Sequence, residues 1–175
     1  MTSREDRAAR ITRAVKDFLE AVGQPCRQNT ELAHTPANVA SLWLDDLLDG
    51  YDVDPADILT GGSEIKGTSD LVIVRDIFFH STCPHHLLPY HGKAHVAYIP
   101  GERIAGFSKI AKLVECFAHR FILQEEIGRL VSEALVEHLG AKGAACMLVD
   151  VEQFCMILRG VRQHGSRSVT VNYAG

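Results

Sequence analysis

The chain has 175 residues, 46% hydrophobic and 23% charged, with a mean hydropathy of +0.01, which suits one globular domain spanning 1–175 with enough apolar residues for a core. A net charge of −4 argues against a nucleic-acid surface, and no apolar run approaches the ~18 residues that a membrane helix needs. The opening Met1-Thr2-Ser3-Arg4-Glu5-Asp6-Arg7 is too charged to begin a secretory signal, and five cysteines without framework spacing do not read as a disulfide set; both fit a reducing cytoplasm.

Ile11, Ala14, Val15, Phe18, Leu19 and Val22 recur at helical spacing, and Gly23 closes the run. Thr35-Pro36 reads as an N-cap followed by proline at the first helical position, opening a helix that carries Val39, Leu42, Trp43 and Leu47 and stops near Gly50. Tyr51 to Thr68 is polar and reads as a loop. Leu71 to Phe79 and Gly92 to Pro100 read as the two strands of a hairpin. Ser108 is placed to cap a helix running to about Arg120, and Gln124 to Leu139 forms the next one. Gly143 to Asp150 and Gln153 to Val161 read as two further strands. Runs of like elements predict an α+β fold with an antiparallel sheet rather than alternating βαβ units.

At the tip of the expected hairpin stands Cys83-Pro84-His85-His86-Leu87-Leu88-Pro89. Cys83 and His86 have a spacing that lets one turn offer a thiolate and an imidazole to one metal ion. Cys155 is the natural third donor. Two Cys and one His leave a fourth position for water, as in catalytic zinc sites. Core cysteines with a loop histidine remain the alternative, because free cysteine is often buried as a small hydrophobe. If 153–161 is a strand, Gln153, Cys155, Ile157 and Arg159 share one face. A cysteine and a guanidinium two positions apart on that face suit a polar, anionic substrate.

Several runs together resemble the GTP cyclohydrolase I family. They are Ser81-Thr82-Cys83-x-His85-His86-Leu87-Leu88-Pro89, Gly92 to Pro100, Gly106-x-Ser108-Lys109, Gln124-Glu125 and Cys155-Met156-x-x-Arg159-Gly160-Val161. The likeness spans roughly residues 11 to 173. It implies a tunnelling fold with a helical N-terminal part (1–68) and a core (69–173) whose antiparallel sheet carries two helices on one face. It also implies closure of the sheets into a pentameric barrel, a homodecamer, and sites between subunits. The implied zinc ligands are Cys83, His86 and Cys155, with His85 as acid/base at the ring nitrogens. Glu125, beside Gln124, would accept from N1–H and the exocyclic amine of guanine. Ser108, Lys109, Arg159 and Gln153 complete the implied substrate site. Glu126 is left as a carboxylate favoured by the helix dipole.

The chain departs from the family's pattern at several places. Pro84 stands where the family usually has Glu, and Gln153 where it has a second catalytic His; glutamine carries no proton at neutral pH. Asn38, Ser41 and Lys112 replace residues that help to hold a triphosphate, and the chain ends at Gly175, short of the family's C-terminal segment. Three readings follow. The first is a GTP cyclohydrolase I giving dihydroneopterin triphosphate and formate. The second is a hydrolase of an unphosphorylated guanine-like base or nucleoside, such as 8-oxoguanine, or one that stops after ring opening. The third is a zinc-containing protein that binds a purine, a pterin or a partner protein without turnover.

Overall fold

Ser3 starts the first helix: its hydroxyl accepts from the Asp6 amide at 3.1 Å, satisfying an otherwise unpaired N–H, and α1 runs Arg4–Ala21. The computed structural model describes residues 3–27, 30–65 and 70–175. These form two units, Met1–Asp49 and Gly50–Gly175. In the first unit α1 packs on α2, Thr35–Leu42, while Phe18 and Val22 of its apolar stripe stay exposed. The N-cap of α2 is His34, not Thr35, so Pro36 sits one position further in. The shift is tolerated because any N–H of the first turn lacks an intrahelical partner. The helix widens into a π-helical turn, Trp43–Leu47, and the chain passes through a 3₁₀ turn at Asp49–Asp52.

The expected loop 51–68 holds more structure than its polarity indicates. Asp54 caps a short helix, α3 (Pro55–Leu59), by accepting from the Ala56 amide at 2.9 Å, and Leu59 is fully buried. Asp-Pro followed by an apolar pair is a helix-start signal that the overall polarity masks. The two-residue strand β1, Ser63–Glu64, pairs with β4, Arg103–Ile104. Residues 66–68 of that segment, and Ser69 at the head of the expected core, lie outside the described residues.

The main sheet contains β2 (Val72–Thr82), β3 (Pro89–Ile99), β5 (Gly143–Gln153) and β6 (Ser168–Ala174) in the order β2-β3-β5-β6, antiparallel throughout. The expected β2–β3 hairpin forms, with both strands running three residues further toward the turn than expected and Thr82 opposite Pro89. Helices α4 (Phe107–Ala118) and α5 (Gln124–Leu139) cover one face, where Phe79, Tyr90, Val96 and Tyr98 pack against Ile110, Leu113, Ile127 and Leu135. Ser108 does not cap α4; Gly106 holds that position and Ser108 sits exposed in the first turn. The other sheet face is open, with Ile73, Phe78, Val171 and Tyr173 all more than half exposed.

The largest correction concerns residues 143–161. A bulge continues β5 past Asp150, which takes φ +54°, and the strand ends only at Gln153. Phe154–Leu158 is then a helical turn, α6, not a strand. A short apolar run carries no period that separates strand from helix. The last strand is β6, whose Val169, Val171 and Tyr173 alternate outward.

Gly92 shows how tightly β3 meets β5. A Cβ there would lie 2.8 Å from the Val149 carbonyl oxygen and 2.8 Å from Val151 Cγ2. Gly92→Ala should therefore destabilise the protein by about 1–3 kcal/mol, the usual range for overpacking. A urea midpoint that falls at unchanged slope is the expected observation.

Candidate metal centre and adjoining cavity

The turn between β2 and β3 is held by its own backbone. The Cys83 amide donates to the Leu88 carbonyl at 2.9 Å, and the Leu87 amide donates to the Cys83 carbonyl at 3.0 Å. Leu87 takes φ +54°, a conformation that a branched side chain adopts only under constraint. The turn buries Cys83 and leaves His85 and His86 exposed. The Ile122 amide donates to the Thr82 carbonyl at 3.3 Å, tying the base of the turn to the segment entering α5. Gln124 and Glu125 are thereby brought beside Cys83.

Cys155 arrives from α6, and the ligand atoms of Cys83, His86 and Cys155 lie within 4.8 Å of one another. The expected trio is together, but the shared strand face behind the expectation does not exist. Helix α6, packed against β3, brings Cys155 in. The donor set fits zinc. Sulfur at about 2.3 Å and nitrogen at about 2.0 Å from one ion would stand roughly 3.5–4 Å apart, a small contraction of the observed group.

Beside this trio lies a cavity of about 330 Å³, lined by Cys83, His85, Tyr90, Glu125, Gln153 and Cys155 among others. His85 Nδ1 is 3.8 Å from Cys83 Sγ. The Tyr90 hydroxyl donates to the Ile122 carbonyl at 2.8 Å; burial first, and then the charges of Cys83 and Glu125, push its pKa above the ordinary phenol range. Glu125 and Glu126 part company here. Glu126 is bound by Arg129 at 2.5 Å, which holds its carboxyl below the usual range, whereas Glu125 has no ion-pair or hydrogen-bond partner among the described residues.

The remaining expected substrate residues divide. Gln124 is buried and lines the cavity, as does Gln153. Ser108, Lys109 and Arg159 do not line it. The Lys109 ammonium donates to the Thr60 carbonyl, and the Arg159 guanidinium lies against His86 Nε2. Sequence reasoning did not single out Ser168 and Thr170, which complete the wall; the Val169-x-Val171-x-Tyr173 alternation could have placed them on an inward strand face.

No described helix is long and apolar enough to cross a membrane. An archaeosine synthase QueF-Like crystal structure in its apo form aligns with a TM-score of 0.50 at 20% identity, covering 63% of this chain and 97% of that one, which is a likeness of fold alone. Sequence relatives are closer. A GTP cyclohydrolase 1 of Ralstonia nicotianae is 43% identical over 168 residues, 96% of this chain and 79% of that protein. The protein of that name from Campylobacter lari is 40% identical, over 92% of this chain and 83% of its own. A sequence model of GTP cyclohydrolase I matches residues 11–175. With that match covering nearly the whole chain, and with its antiparallel sheet backed by two helices, the protein belongs to the GTP cyclohydrolase I family.

Proposed function

We propose that the chain is a zinc-dependent hydrolase that opens the imidazole ring of a guanine-type purine; its relatives are named GTP cyclohydrolase 1. The observation carrying this reading is the Cys83–His86–Cys155 trio at the edge of a cavity that also holds His85 and an unpartnered Glu125. When bound, zinc supplies the Lewis acidity that makes water a nucleophile near neutral pH. Glu125 accepts from N1–H and the exocyclic amine and so orients the base. His85 moves protons at the ring nitrogens as the C–N bonds break. Two waters are consumed: the first opens the ring to a formamide, and the second releases carbon 8 as formate. In the ordinary reaction, dihydroneopterin triphosphate then forms by ribose rearrangement and a ring closure that releases one water.

A second reading has its own support. Among the described residues no Lys or Arg lines the cavity, and Lys109 and Arg159 are turned to Thr60 and His86. The wall instead carries Gln153, which transfers no proton. This favours an unphosphorylated guanine-like substrate, or a reaction that ends after ring opening. The test is incubation of zinc-loaded protein with GTP, guanosine, guanine and 8-oxoguanine, following formate and pterin absorbance. Pterin from GTP selects the ordinary activity; a formamide or formate without pterin selects the second reading. Absence of any turnover across the set would overturn both.

The same reading includes a homodecamer with sites between subunits. Its support is the open sheet face, with Tyr173 82% and Phe78 63% exposed, and the two outer strands β2 and β6 with free edges in the single chain. Light scattering at micromolar concentration should report a symmetric oligomer far larger than a dimer; a monomer would refute it.

A further inference from the structure

The open face of the main sheet carries a trough of about 410 Å³ that crosses all four strands and shares no residue with the zinc cavity. Strand register explains its shape. Ile73, Ala97 and Ala145 form one row across β2, β3 and β5, and His95, Met147 and Val171 form the next across β3, β5 and β6. Alanine at the two central positions keeps the floor low between Ile73, Met147 and Val171. The volume is ordinary for a small-molecule site. Two polar groups line it. Arg75 has no ion-pair or hydrogen-bond partner among the described residues. His95 Nδ1 accepts from the Asp76 amide at 3.2 Å, where β2 bulges and Asp76 takes φ +59°. A ring nitrogen that accepts carries no proton, so the proton of the imidazole sits on Nε2, where nothing among the described residues accepts it. The acids beside the trough are engaged elsewhere: Lys93 Nζ lies 3.9 Å from Asp76 and 3.9 Å from Asp150. Among the described residues no Asp or Glu lines the trough.

We propose that this trough is a second ligand site, separate from the zinc cavity, and that it takes a small aromatic carboxylate. The charge comes from Arg75, a guanidinium with no counter-ion, whose planar fork matches a carboxylate, and the Nε2–H of His95 adds a neutral donor. With donors and no acid in its lining, the trough complements an anion and opposes a cation. The body of the ligand follows from the rest of the lining. A flat ring lies on the low Ala97–Ala145 floor, and the Met147 thioether is a favourable neighbour for an aromatic edge. An edge-to-edge ring of copies would pair β2 with a neighbour's β6 and leave the face itself uncovered, so the site is compatible with the proposed assembly. It does not depend on the purine reading.

The test measures equilibrium binding of 2-naphthoate and of its neutral analogue 2-naphthylmethanol to the intact zinc-loaded protein. Wild type should bind the carboxylate about tenfold tighter, one charge-assisted hydrogen bond's worth of discrimination. Arg75→Gln should erase that preference and leave the affinity for the alcohol unchanged. Ala145→Leu raises the floor and should weaken both ligands about tenfold or more. Both substitutions lie on the open face, away from the packed core, so an unchanged Tm is expected and shows that each variant is folded. Equal affinities in wild type overturn the inference with no variant needed. A preference that survives Arg75→Gln, as carboxylate binding at the zinc would, also overturns it, and so does an affinity untouched by Ala145→Leu. Absence of binding at millimolar ligand, as when a second copy covers the face, overturns it as well.

Discussion

Replacing Cys155 by alanine is expected to lower bound zinc from about one ion per chain to near zero, and turnover with it. Two donors from one turn do not hold the ion against competing buffers; the third, supplied by α6, closes the site. Loss of a single orienting partner around a metal already costs about 10–100-fold in affinity or activity, so loss of a direct ligand should exceed a hundredfold. Cys146 provides the contrast. It is fully buried in the core, where burial pushes its thiol up to about 12, and it lies outside the Cys83–His86–Cys155 group. Cys146→Ala should keep its zinc while losing some stability. Metal analysis of the two variants side by side decides the matter: undiminished zinc in Cys155→Ala would remove the proposed centre.

Glu125→Ala should abolish binding of the base whatever the phosphate content of the ligand. A carboxylate facing two N–H groups makes two charge-assisted hydrogen bonds, each worth about 1.5–3 kcal/mol, so losing both amounts to about 3 kcal/mol or more and over a hundredfold in affinity. Removing the triphosphate should cost much less here than in an ordinary family member. Asn38 and Ser41 bring no charge, and among the described residues no Lys or Arg lines the cavity. Competition titrations with GTP and guanosine on wild type and Glu125→Ala read both effects. Efficient conversion of GTP to dihydroneopterin triphosphate with no affinity for the unphosphorylated compound would return the chain to the ordinary activity.

Much of this was legible in the sequence because it is local. The hairpin carrying the Cys83 turn follows from two β-rich runs and two bracketing prolines, and α5 starts at Gln124 and ends at Leu139 as its apolar stripe predicts. The family resemblance stands on side-chain runs that need no geometry. Tertiary structure decided the rest. The sequence has no signal that Asp150 would enter a left-handed bulge and carry β5 to Gln153, because a bulge is set by pairing with a distant strand. Nor does it say that Phe154 to Leu158 would coil: five apolar residues fit a buried strand and a helical turn equally. That choice rotates Arg159 away from the face assumed for it and sets its guanidinium on His86. The separation of Glu125 from Glu126 depends on which carboxylate Arg129 reaches, a matter of helix geometry. The Gln124 amide shows the same limit most clearly. Its partners Gln153, Ser168 and Thr170 lie 29, 44 and 46 positions along the chain, and only the stacking of α5 on β5 and β6 brings them to one oxygen and one nitrogen.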